Sequence, residues 1–385
     1  MNDVDAPIGQ SVEAIDTPAL AIDLDAMDRN LHAMAAFARD RGLRLRPHGK
    51  MHKSAYIGRL QIAAGAVGLC VQKTAEAERL AEGGIDDLYI SNQVVAPAKL
   101  ARVAALARRL AARGGRLAVA VDSVLGIERL AAAIAAQPAA DGGSAPIDVF
   151  VEIDVGQHRC GVAPGAPAVA LVQEVLRHPG LRYAGLQAYH GSAQHRRSVQ
   201  ERREAIDGVA ADVRSTCELL HAAGIEPGLI TGAGTGSFGF EAASGVFGEI
   251  QVGSYLFMDA DYARNEPDPN QPAFEQALFI KSQVVSVSTA GTGGHAVVDA
   301  GHKSYAVDSG LPGVWGADLR LTAASDEAGV VKGDVLPGLG ETVWLVPGHC
   351  DPTVNLHAQM VGVRGGLRAG VVERHIAVDA RGALT

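Results

Sequence analysis

Cysteine is scarce and never paired in this sequence. Cys70, Cys160, Cys217 and Cys350 are the whole complement. They lie far apart with no Cys-x-x-Cys spacing, which fits reduced thiols and argues against a disulfide framework or a structural zinc site. Positive charge is also short. The formal net charge is -9, and no lysine or arginine stripe recurs at helical spacing, so a general nucleic-acid binder or a partner of anionic lipid is disfavoured. Long apolar runs are missing as well, because Arg, Glu or Gly breaks each Ala/Leu/Val-rich stretch before a membrane-spanning length. The opening Met1-Asn2-Asp3-Val4-Asp5 has neither a basic leader nor an apolar segment, so no secretory signal is expected. Neither a Gly-x-Gly-x-x-Gly motif in a first βα unit nor a P-loop lysine motif occurs, which disfavours dinucleotide and nucleoside-triphosphate binding. The expectation is a cytoplasmic protein acting on a small molecule, with no nucleic-acid or membrane partner.

What the sequence does contain is a chain of 385 residues, 48% hydrophobic and 20% charged, long enough for one large α/β domain and a smaller one. Apolar β-branched runs alternate with amphipathic stretches, as when parallel strands are buried under helices. Eight candidate strands fall at Leu43 to Pro47, Val67 to Val71, Asp87 to Ser91, Leu117 to Asp122, Asp148 to Asp154, Arg182 to Tyr189, Gly228 to Thr231 and Glu249 to Val252. Leu24, Met27, Leu31, Met34 and Phe37 recur at helical spacing, which predicts a helix over Leu24 to Arg41 capped by Asp23 or Asp25. The polar, proline-rich stretch Asn265 to Pro272 reads as a domain boundary. Short apolar strands come after it at Ile280 to Val287, Ala296 to Val298, Thr342 to Val346, Met360 to Val363 and Gly370 to Val372, and Ala19 to Asp23 could join their sheet. The predicted architecture is a (β/α)8 barrel over residues 24–262, with a β-rich domain made of 1–23 and 263–385.

A βα barrel places its active site at the C-terminal strand ends, so the residues just after each apolar run carry the most information about chemistry. Lys50 and His52 come after the first strand, Gln72 and Lys73 after the second, Asn92 after the third and Asp122 after the fourth. Asp154 and Arg159 succeed the fifth, and Tyr189 and His190 the sixth. Singly, each suits a surface or capping role; their shared placement suggests a site. Lys50 lies in Arg46-Pro47-His48-Gly49-Lys50-Met51-His52-Lys53, which reads either as a solvated basic loop or as a lysine able to hold an aldehyde cofactor. In the second case Lys53 and the two histidines would lower the cost of its neutral amine. The small residues of Thr231-Gly232-Ala233-Gly234-Thr235-Gly236-Ser237 and Gly253-Ser254-Tyr255, after strands seven and eight, allow close backbone approach to a phosphate. In Pro347-Gly348-His349-Cys350-Asp351-Pro352-Thr353, His349 and Asp351 would point the same way on an extended stretch. They could offer one nitrogen and one oxygen to a hard or borderline divalent ion, or simply form a capped turn.

These segments together resemble the D-threonine aldolase family of alanine-racemase-like (fold type III) pyridoxal-phosphate enzymes. The resemblance covers nearly the whole chain, including Asp16-Thr17-Pro18, Cys70-Val71-Gln72-Lys73, Ile90-Ser91-Asn92, Glu152 to Val162, Gln187 to Gly191 and Gly253 to Asp259. It implies that Lys50 is the Schiff-base lysine and Arg159 faces the pyridine nitrogen. Gly234, Thr235, Gly236 and Tyr255 would hold phosphate, with Gln72, Tyr189 and Thr231 also in the cofactor site. His349 and Asp351 would bind a divalent metal, manganese ahead of magnesium or cobalt, and His190 or Lys50 would move protons. A homodimer is implied too. The D-serine dehydratases resemble the chain in the lysine and phosphate motifs but place Cys where Asp351 stands. The 3-hydroxy-D-aspartate aldolases are similar in His48 to Lys53 and in Val307-Asp308-Ser309-Gly310-Leu311-Pro312. The chain departs from the family at Asp326-Glu327-Ala328-Gly329, where a histidine usually precedes the glycine. A dehydratase or racemase on the same scaffold, or a non-catalytic cofactor-binding protein, remains the alternative.

Overall fold

The buried runs of the first two-thirds of the chain become parallel strands in the computed structural model, which describes residues 8–137, 146–289 and 294–385. The eight strands are Arg44–Leu45, Leu69–Val71, Asp87–Gln93, Arg116–Val121, Ile147–Glu152, Leu181–Ala188, Leu229–Gly232 and Glu249–Ile250. All their mutual pairings are parallel. The barrel closes where Gly49 N donates to Cys70 O at 2.7 Å and Cys70 N to Pro47 O at 2.8 Å. Leu24–Asp40 forms the first helix, burying Leu24, Met27, Leu31, Met34 and Phe37. Of the two candidate caps it is Asp23 that accepts from Asp25 N and Ala26 N, the contact its place one residue before the helix allows.

A second sheet has nine strands, in the order His295–Val298, Gly329–Gly333, Leu319–Ala324, Gly313–Val314, Thr342–Val346, Leu278–Ser288, Ala19–Asp23, Gln359–Arg364 and Val371–Ala377. Ala19–Asp23 enters it between an antiparallel and a parallel neighbour. His295–Val298 also pairs with Leu278–Ser288, so the first six strands in that order close on themselves. Gly313–Val314, Leu319–Ala324 and Gly329–Gly333 escape sequence reading. Only Leu321 of Leu319–Ala324 is buried, so no alternation of apolar and polar residues advertises the strand. One expectation is corrected. His349 and Asp351 are not on an extended stretch: Cys350–Val354 is a short helix with His349 just before it. A proline at the third helical position, Pro352, is tolerated because its missing N–H would have had no partner there.

Candidate active site

The C-terminal ends of the barrel strands surround a cavity of about 290 Å³, lined in part by Lys50, Gln72, Arg159, Tyr189, Gly234 and Thr235. A larger cavity of about 640 Å³ lies against the second sheet beside Trp315 and Trp344, and none of the strand-end groups reaches it. Gln72 is fixed at the barrel mouth, its Nε2 lying 3.0 Å from His48 Nε2 and donating to Ser91 Oγ at 3.1 Å. Burial, with Lys50 nearby, holds His48 well below its ordinary pKa and therefore neutral. Arg159 is exposed at the rim. Asn92, Asp122 and Asp154 lie outside the lining; Asp154 accepts from Gly156 N and His158 N and shapes its own turn.

Lys50 has a neighbour the local sequence did not supply. Its Nζ is 3.2 Å from Asp351 Oδ2, and its side chain is 40% exposed into the cavity, so water partly screens the pair. The negative charge of Asp351 raises the Lys50 amine above its ordinary pKa despite burial. The sequence expectation for Lys53, that it lowers the cost of a neutral Lys50, is corrected. Lys53 is buried and paired with Glu76 at 2.5 Å, which neutralises its field. Burial alone would raise the Asp351 carboxyl, but Lys50 and His349 outweigh it and hold it at about 2. His349 Nε2 lies 3.9 Å from Asp351 Oδ1, while its Nδ1 is 2.6 Å from Asp308 Oδ2. Burial opposes the charged His349, but Asp351 and Asp308 prevail and raise its pKa. Among the described residues no group of three or more His, Cys, Asp or Glu is arranged to hold a metal ion by itself. The pair therefore offers a metal two protein donors with the rest left to water or substrate, a set that fits a hard divalent ion and not a structural zinc.

Gly234 and Thr235 line the cavity, and Gly236 does not. Thr235 Oγ1 accepts from Tyr255 N at 2.9 Å, which leaves its hydroxyl hydrogen for an anion in the cavity. Small backbone and a spare hydroxyl fit a phosphate. Tyr255 and Thr231, grouped with the cofactor by resemblance, sit elsewhere. Tyr255 is fully buried, accepts from Gln61 Nε2 at 3.2 Å and packs on Phe274, while Ser254 before it lines the cavity. Thr231 lies beneath the floor, donating to Glu249 Oε1 at 2.9 Å and accepting from Gln251 Nε2 at 2.7 Å. Thr231 thus points into the barrel but lies deeper than the cavity, and Tyr255 sits on the short turn Ser254–Leu256; only the assembled barrel reveals either placement.

His190 is likewise placed off the cavity. It is 5% exposed and packs against Gly156, with Nδ1 3.3 Å from Ser192 Oγ; burial pushes its pKa down. Three histidines line the cavity, His48, His349 and His195, and sequence reading missed His195. Its Nδ1 meets Asp261 Oδ2 at 2.5 Å and its ring lies over Tyr262. Asp261 is also held by Arg197 at 2.6 Å and by Arg264. Burial would raise this carboxyl, but the arginine and histidine contacts win and keep it at about 2, a permanent acceptor near neutral pH. The partner stands 66 residues away in sequence, so no local motif announced the pair.

A family model described as alanine racemase, N-terminal domain, matches residues 22–261, and a serine dehydratase domain model matches 277–363. The 3-hydroxy-D-aspartate aldolase of Paracoccus denitrificans (strain Pd 1222) is 42% identical over 387 residues, covering 99% of this chain and 96% of that protein. The D-threonine aldolase of an Arthrobacter species is 44% identical over 378 residues, covering 97% of this chain and 95% of its own. The crystal structure of D-threonine aldolase from Filomicrobium marinum superimposes with a TM-score of 0.92 at 44% identity, covering 99% of this chain and 100% of that one.

Proposed function

The chain belongs to the D-threonine aldolase family of alanine-racemase-like, pyridoxal-phosphate-dependent enzymes and is a carbon–carbon lyase of that type, and on that premise we propose that it cleaves β-hydroxy-D-α-amino acids such as D-threonine to glycine and an aldehyde with a divalent metal ion. The observation that supports this most is the meeting of two chemistries in one cavity. The barrel lysine, Lys50, stands 3.2 Å from the carboxylate of Asp351, which the second sheet delivers beside His349.

Bound pyridoxal phosphate supplies an electron sink for the carbanion left at Cα. Lys50 would hold the cofactor's aldehyde carbon, with Arg159 at the ring nitrogen and Gly234 and Thr235 at the phosphate. His349 and Asp351 would hold the metal, a Lewis acid that favours loss of the β-hydroxyl proton. Oxygen-rich coordination with two protein donors suits manganese, with magnesium or cobalt as substitutes. We assign that proton to His195. With Nδ1 turned to Asp261, Nε2 is the ring nitrogen left to face the cavity and act as base. Lys50, once released from the cofactor, would return a proton to Cα. We further propose residues 24–262 as one domain and 1–23 with 263–385 as the other, and a homodimer in which one copy's sheet domain closes the other's barrel mouth. Four free thiols support a reducing, cytoplasmic setting.

The similarity to a 3-hydroxy-D-aspartate aldolase favours a second substrate reading. Assaying D-threonine, D-phenylserine and 3-hydroxy-D-aspartate side by side should yield glycine from at least one; ammonia as the main product would instead indicate a dehydratase. A chelator should depress turnover by roughly two orders of magnitude, as expected for loss of a Lewis acid, with manganese restoring it. Full activity in metal-free enzyme would refute the metal's role. Lys50→Ala should abolish both bound-cofactor absorbance and turnover, and borohydride fixation of the cofactor on Lys53 would overturn the lysine assignment.

A further inference from the structure

The loop Gly234-Thr235-Gly236-Ser237 rests on a side chain that no motif singled out. Gln194 is fully buried, on the turn Ser192–His195 that also carries His195. Its Oε1 accepts from Gly236 N at 2.9 Å, and its Nε2 donates to Ser237 Oγ at 2.7 Å and to His190 O at 3.2 Å. Ser237 in turn donates to Glu241 Oε1 at 2.7 Å. The directions of the three Gln194 bonds are fixed. A backbone N–H can only donate and a backbone carbonyl can only accept, so the amide cannot flip without opposing like groups. With the amide so held its nitrogen can only donate, and the Ser237 oxygen must therefore accept from Gln194. Glu241 ends the chain, fully buried, with its other oxygen lacking a partner and its pKa raised by burial to about 7.

Two further facts tie Gln194 to the loop's shape. A Cβ on Gly234 would come within 2.5 Å of Gln194 Oε1, and one on Gly236 within 2.4 Å of Gln194 O. Both glycines are thus required by Gln194 lying against the loop, whatever the ligand needs. Gly236, its N–H committed to Gln194, is off the cavity, while Gly234 and Thr235 face it. We infer that Gln194 is the positioning residue of the phosphate site: it takes the Gly236 N–H for itself and so presents Gly234 and the Thr235 hydroxyl to the cofactor's phosphate. This rests on the reading of the loop as the phosphate site, and it withdraws Gly236 from direct contact.

The test compares pyridoxal phosphate with pyridoxal, which differs only in lacking the phosphate, by absorbance titration of cofactor-free enzyme. Wild type should prefer the phosphorylated form. Gln194→Leu should cut that preference on the order of tenfold, the scale of one buried hydrogen-bonding group left unpaired, with affinity for pyridoxal held. Ser237→Ala, which removes one of the two acceptors of the Gln194 amide nitrogen, should cut it less and serves if Gln194→Leu does not fold. A preference unchanged or increased in the folded variant would overturn the inference. Equal losses for both ligands would reduce Gln194 to general packing and overturn it as well. No preference in wild type would instead remove the phosphate loop itself, and the inference with it.

Discussion

A histidine serves as a base when one ring nitrogen is held and the other is free, and His195 meets that condition through Asp261. His195→Asn should lower the rate of glycine formation by about a hundredfold or more, within the usual range for general base catalysis, while bound-cofactor absorbance persists. His190→Asn should cost less. A larger loss at His190 would return the role to it. The Asp261 carboxyl also makes a pH prediction. Its pKa in the fold, about 2, lies below the ordinary value near 4. It therefore contributes stability at neutral pH that disappears as pH falls through that interval. Urea midpoints of wild type and Asp261→Asn should differ at pH 7 and converge as the pH approaches the folded value. A gap that stays constant down to acid pH would deny the depressed pKa. Lys50 could be picked out from its place after a strand, whereas the sign of its electrostatic environment could not, because Asp351 arrives from 301 positions away.

Elements carry the next level of the site. The glycine-rich loop could be read from its position after barrel strand seven, where barrels commonly bind phosphate, and not from its glycines alone, which usually mark just a turn. The cause of its glycines could not be read, since it lies in the turn carrying Gln194. Gly234→Val should weaken cofactor affinity by displacing Gln194 while leaving the rate of fully loaded enzyme less affected, as measured by saturating the variant with cofactor. Unaltered affinity would move the phosphate elsewhere. The first helix could be read from its apolar stripe, Leu24 to Phe37, and its cap from an aspartate at the strand's end. The short helix Cys350–Val354 could not. Five residues give too little periodicity to recognise, and the fold supplies its N-terminal partner from outside, where Asp259 Oδ2 accepts from Cys350 N at 3.0 Å.

At the scale of the molecule the site exists because two sheets meet along a seam. Ala260 N donates to Pro347 O at 3.0 Å and Asp261 N to Gly348 O at 3.2 Å, joining the end of the barrel to the segment carrying His349 and Asp351. Asp259 completes the seam, accepting from both Tyr262 N and Cys350 N. Burial raises its carboxyl pKa even so. Asp259→Ala would leave two backbone donors unpaired, a cost of roughly 2–4 kcal/mol. It should lower the urea midpoint and weaken manganese binding, measured by titration calorimetry, more than it weakens cofactor binding. Equal weakening of both would mean that the seam organises the barrel mouth as well.

By itself the sequence determined the parallel barrel, the helix that precedes it, and the lysine and glycine-rich loop at strand ends. Each of these depends on local periodicity or on position relative to a strand, which a linear chain records. Only the tertiary structure decided which side chains near the strand ends reach the cavity, so that Gln72 and Tyr189 line it while Thr231 lies deeper in the barrel and Tyr255 behind it. It also put His195, and not His190, on the cavity lining and set Asp351 against Lys50. Those outcomes depend on through-space contacts between segments far apart in the chain, and no local pattern encodes them.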